Sequence, residues 1–91
     1  MLIVVSYDVP DDRRRTRLAH TLKDFGERVQ YSVFECHLDE RALETLRVRI
    51  SRLLNFEEDS VRIYRLCKEC DRLLEVLGTA QRTDDPELYV L

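Results

Sequence analysis

The stretch ERVQYSVFECHL, Glu27 to Leu38, decides how the chain folds. Apolar side chains alternate along it, yet the phase changes partway. Val29 and Tyr31 share one parity, whereas Phe34, Cys36 and Leu38 share the other. A strand turns successive side chains to opposite faces, so one regular strand cannot bury both sets on the same side. The switch therefore places a tight turn, bend or bulge near Tyr31–Val33, giving either two short strands or one bulged strand.

On the N-terminal side, DDRRRTRLAHTLKDFG (residues 11–26) carries helix punctuation. Asp11 or Asp12 is the N-cap, Gly26 lies just past the end, and Leu18, Leu22 and Phe25 recur at helical spacing. Leu2–Asp8 precedes it, apolar on successive residues through LIVV as in a central strand, and is closed by Pro10. On the C-terminal side, Asp39 caps a second amphipathic helix whose buried stripe is Leu43, Leu46, Ile50, Leu53 and Leu54. SVRIYRL (60–66) reads as a strand, KECD (68–71) as a turn and RLLEVLG (72–78) as a further strand. The order is β-α-β-β-α-β with an extra C-terminal strand. It predicts one α+β, ferredoxin-like domain over residues 1–91, an antiparallel sheet with two helices on one face. Residues 79–91 form a tail whose end, Leu88, Tyr89, Val90 and Leu91, is too apolar for solvent and is expected to dock, on a partner chain for example.

The totals narrow the function. The longest apolar run, Met1–Val5, falls far short of the roughly 20 residues of a membrane span. No export leader is evident, and three cysteines fit reduced thiols, so a cytoplasmic protein is expected. A net charge of −3 argues against a strongly basic nucleic-acid binder, although 13 of the 15 basic residues are arginine, the side chain whose planar fork suits phosphate. Such a skew also follows from base composition, so only local clustering carries weight.

Asp8 stands out as a lone carboxylate ending an apolar strand. It reads either as an ion-pair partner of Arg13 or Arg15, or as a hard-metal ligand beside arginines that receive phosphate. Arg13, Arg14, Arg15 and Arg17 span little more than one helical turn and cannot all face one way. Cys67-x-x-Cys70 has zinc or redox spacing, but a single such pair is weak and reads as turn and packing thiols. His20 and His37 lie on different elements, and nothing pairs them for metal-free cleavage.

VVSYDV (4–9), DDRRRTRLAHTLKDFGERVQYSVFEC (11–36) and DSVRIYRL (59–66) together closely resemble the small CRISPR-associated nucleases of the adaptation complex, the Cas2 family. The likeness runs over nearly the whole chain, most specifically at Ser6-Tyr7-Asp8 and Arg28–Cys36. It implies a ferredoxin-like homodimer and a metal-dependent endonuclease cutting single-stranded RNA or double-stranded DNA during spacer acquisition. It further implies catalytic roles for Asp8 and Tyr7, with Arg15, Arg17, Arg28 and Phe34 supporting nucleic-acid binding or cleavage. Magnesium, or manganese, would be shared by the two Asp8 carboxylates of a dimer, since a two-fold axis doubles any residue near it. The partners implied are Cas1 integrase dimers and RNA or DNA, with exposed Glu40, Glu44 and the tail as candidate integrase contacts. The same resemblance supports a second role, a non-catalytic scaffold bridging integrase dimers and DNA.

Overall fold

The computed structural model describes residues 1–79 together with Arg82 and Thr83. Its elements run β1 (Leu2–Asp8), α1 (Asp12–Lys23), β2 (Glu27–Gln30), β3 (Val33–His37), α2 (Glu40–Leu53), β4 (Ser60–Leu66) and α3 (Lys68–Arg72). The four strands form one antiparallel sheet in the order β2-β3-β1-β4. The uninterrupted apolar start of β1 thus belongs to an inner strand, as its pattern predicts.

Register explains the core. Ile3 pairs with Cys36 and Val5 with Phe34, and residues paired across antiparallel strands share a face. These side chains join Tyr7, Leu18, Leu22, Leu43, Leu46 and Ile50 in one buried cluster, with Val61 and Ile63 of β4 packed at its margin. Both long helices therefore cover this side of the sheet. The side-chain oxygen of Asp11 accepts from the Arg14 amide, and that of Asp39 from the Ala42 amide, which satisfies amide donors that α1 and α2 leave open.

The parity switch resolves into two strands joined at Tyr31–Ser32. The register slips between Arg28 and Gln30, leaving Val29 as the extra residue of a bulge. The Tyr7 amide donates to the Ser32 carbonyl at 3.1 Å, tying this turn to the end of β1.

The C-terminal reading needs correction. KECD begins helix α3, with Cys67 at its N-cap, and RLLEVLG forms no strand. Leu73 and Leu77 are exposed, so the leucines that suggested a strand do not enter the core of the described residues. Arg82 instead returns to α3, donating to Leu74 O at 3.0 Å and to the Asp71 carboxylate at 2.8 Å. Thr83 is buried and donates to Glu35, with His37 Nε2 3.2 Å away. Glu35 and His37 pair with Val4 and Leu2, so the chain returns over the sheet face opposite the helices. The expected docking of residues 84–91 lies outside the described residues.

Gly26 is required by contact. A Cβ there would sit 2.2 Å from the Glu35 carbonyl oxygen and 2.6 Å from Cys36 Sγ. Gly26→Ala should cost about 2–3 kcal/mol, because backbone must move to admit the methyl, and urea denaturation will measure it.

Candidate nucleic-acid interface

The end of β1 sends adjacent side chains to opposite sides. Tyr7 is buried on the helix side, its ring 6.3 Å from Phe34 and its hydroxyl 3.5 Å from the Tyr31 carbonyl oxygen. Asp8, one residue on, is exposed and pairs in register with Ser60. By strand alternation it projects away from Tyr7. Among the described residues its carboxylate makes no hydrogen bond or ion pair.

The arginine cluster divides its work. Arg14 donates Nε to Asp59 at 2.8 Å and a terminal nitrogen to Glu58 at 2.9 Å, tethering α1 to the loop before β4. The Asp59 side chain is 0 % exposed. Its hydrogen bond from Arg14 holds its carboxyl below the ordinary value of 3.8, and the same bond raises Arg14. Arg15 donates to the Val9 carbonyl at 3.0 Å and pairs with Asp12, whose hydrogen bond raises its pKa. The ion pair of Asp8 with Arg13 or Arg15, one of the two readings of that carboxylate, is thus absent. Arg13 and Arg17 lie with Asp12 and Thr16 around a shallow hollow on the outer side of α1.

Tyr7, Arg15 and Arg28 do converge. They line a cavity of about 280 Å³ between α1 and the β2–β3 hairpin, together with Thr16, His20, Lys23 and Tyr31. Arg28 stacks its guanidinium 5.4 Å from the Phe34 ring centroid. Phe34 itself is 0 % exposed, so any support it gives nucleic-acid binding is indirect: in this conformation it is the platform beneath Arg28 and Tyr7. Arg17 and Asp8 stand outside the cavity. Neither Lys23 nor Tyr31 is a candidate from the sequence alone, and His20 is one there only as a possible acid–base histidine. The signal for the helix residues was spacing, since Thr16, Ala19, His20 and Lys23 fall at i, i+3, i+4 and i+7.

The remaining candidates are quickly placed. Cys36 is buried in the core, which pushes its thiol up to about 11. Cys67 and Cys70 are exposed rather than packed, and hydrogen bonding between them lowers Cys67 and raises Cys70. Glu40 and Glu44 are exposed as expected, though each already holds an arginine of its own chain, Arg65 and Arg47 respectively. No three or more His, Cys, Asp or Glu side chains gather to hold a metal, and no helix is long and apolar enough to cross a membrane, among the described residues.

Comparison with known proteins gives a consistent result. The family described as CRISPR associated protein Cas2 matches residues 1–73. A CRISPR-associated endonuclease Cas2 from Thermus thermophilus is 51% identical over 90 residues, covering 99% of this chain and 96% of the relative. A CRISPR-associated endoribonuclease Cas2 from Synechocystis is 41% identical, covering 93% of this chain and 92% of the relative. The crystal structure of Streptococcus pyogenes Cas2 superimposes with a TM-score of 0.75 at 34% identity, over 86% of this chain and 100% of that one. A chain of a partial Cas6-RT-Cas1–Cas2 complex gives a TM-score of 0.64 at 31% identity, over 84% of this chain and 89% of that one.

The Arg14 tether predicts a pH dependence. Asp59 has a folded pKa below its unfolded value, so its contribution is complete above the unfolded value and disappears as pH falls through the folded one. Arg14→Ala should lower the melting temperature at neutral pH, and the gap from wild type should close below about pH 4 as Asp59 protonates in both proteins. Thermal melts across that range check it.

Proposed function

Because this chain belongs to the Cas2 family, we propose that it is a metal-dependent endonuclease that hydrolyses phosphodiester bonds of RNA or DNA and acts with Cas1 in spacer acquisition. The strand order β2-β3-β1-β4 supports a ferredoxin-like fold, and the small size of the domain favours pairing into a homodimer. The single observation that carries the nuclease reading is Asp8, an exposed carboxylate at a strand end that no arginine among the described residues neutralises.

The donor chemistry fits a hard cation in kind, because magnesium takes carboxylate oxygens and keeps several waters. One carboxylate per chain is too few, so the two Asp8 side chains of a dimer would hold the ion together. Bound there, magnesium or manganese would supply Lewis acidity and a more acidic water. The chain's own residues do the positioning. Arg28, braced on Phe34, and Arg15, fixed to the Val9 carbonyl, receive phosphate of the bound strand and orient it. Tyr7 offers a hydroxyl held at the Tyr31 carbonyl.

One observation favours the scaffold reading beside this one. Much of the arginine complement is spent on ion pairs within the chain, at Arg14, Arg47, Arg49, Arg65 and Arg82. A chain of net charge −3 with so many committed cations would need a partner's cations to hold duplex DNA tightly.

Asp8→Asn should reduce magnesium-dependent cleavage on the order of a hundredfold while size-exclusion shows an unchanged assembly. Cleavage that survives this substitution would falsify the nuclease; spacer integration that survives it favours the scaffold. Arg28→Ala should weaken nucleic-acid binding and reduce the salt slope by about 0.7–0.9.

A further inference from the structure

The cavity between α1 and the β2–β3 hairpin is more specialised than a phosphate-backbone track. In a chain with 18 acidic residues, no carboxylate among the described residues lines it. Its cations are of two kinds. Arg15 is already paired with Asp12, whereas Lys23 and Arg28 have no carboxylate partner among the described residues. The lining therefore carries about two uncompensated positive charges, and the His20 imidazole adds a further hydrogen-bonding group.

Helix stability does not account for this. Lys23 and His20 lie in the last turn of α1, where cations favour the helix dipole, but Arg28 and Tyr31 arrive from the hairpin. Two elements are aimed at one space. Tyr31 is 78 % exposed at its rim, a large aromatic side chain left in water. The volume, about 280 Å³, lies near the lower limit of small-ligand sites and is far too small for a duplex.

We propose that this cavity is an end-binding site, seating the terminal phosphomonoester of a nucleic-acid strand on Arg15, Lys23 and Arg28, with the unpaired terminal base against Tyr31. An internal phosphodiester brings a single negative charge, whereas a terminal phosphate brings about −1.5 to −2 at neutral pH and so matches the uncompensated pair. Stacking of one unpaired base on an aromatic ring adds sequence-tolerant affinity. This deepens the reading of Arg15 and Arg28 as nucleic-acid ligands by naming which part of the nucleic acid they take.

The test is fluorescence anisotropy in chelator, so that cleavage plays no part, with single-stranded oligonucleotides of one sequence bearing a 5′-phosphate, a 3′-phosphate or hydroxyl ends. One phosphorylated end should bind roughly tenfold more tightly than the hydroxyl form, equivalent to about 1.4 kcal/mol. The two phosphorylated arms identify which end. Inorganic phosphate should compete away this advantage. Lys23→Ala should abolish the preference, Lys23→Arg should retain it, and Tyr31→Ala should weaken binding of every single strand. Asp8→Asn should leave the preference intact, so its failure and the failure of the nuclease reading are separable. Equal affinity for phosphorylated and hydroxyl ends, or a preference that survives Lys23→Ala, overturns the proposal.

Discussion

The inner position of β1 is the constraint from which the functional end of the molecule follows. Pairing with β3 on one side and β4 on the other fixes its register along almost its whole length. A slip of one residue would carry Ile3, Val5 and Tyr7 out of the core, so the face of each side chain is strongly enforced. The consequence appears where the strand stops. Tyr7 must point to the helices and Asp8 must point away from them. The residues that a linear motif presents as a unit are thereby delivered to two sides of the sheet.

The same pressure sorts the arginines. Those that hold carboxylates of their own chain act as fasteners: Arg14 draws α1 onto the loop before β4, and Arg65 draws β4 onto the start of α2. Arg28 is held differently, by a ring that is itself locked in the core. A guanidinium braced on an aromatic face keeps its hydrogen-bond donors available, whereas one clamped by two carboxylates has few left. Net charge and arginine count could not distinguish these cases. The distinction lies in what each guanidinium already touches.

Much of the fold was legible for this reason: local rules and burial agreed. Asp11 and Asp39 cap where their positions indicate, and the parity change at Tyr31–Val33 marks the hairpin and bulge. The C-terminal segment reads as a strand because Leu73, Leu74, Val76 and Leu77 supply the apolarity of one, but they have no strand to pair with among the described residues. Of the residues that the resemblance singles out, Tyr7, Arg15 and Arg28 line one cavity. The Arg14–Asp59 contact was invisible, since it joins residues 45 apart through a side chain that no periodicity reports. Phe34 shares the parity of Cys36 and Leu38 and is buried with them, as the alternation indicates.

The division at the end of β1 also separates anchoring from chemistry. A strand end held between α1 and the hairpin sits on the Tyr7 side, and a cation held by Asp8 would sit on the other. Consecutive Cα atoms are only 3.8 Å apart, so a nucleic-acid chain passing around the Val9–Pro10 corner could meet both without a long excursion. Anchoring by a terminal phosphate would then fix how many nucleotides separate the bound end from Asp8. Such a geometry measures length from an end and reads no sequence, because its contacts are phosphate and stacking contacts. That property serves a nuclease that trims and a scaffold that gauges equally well, which is why the anchoring residues and the carboxylate must be judged by separate substitutions.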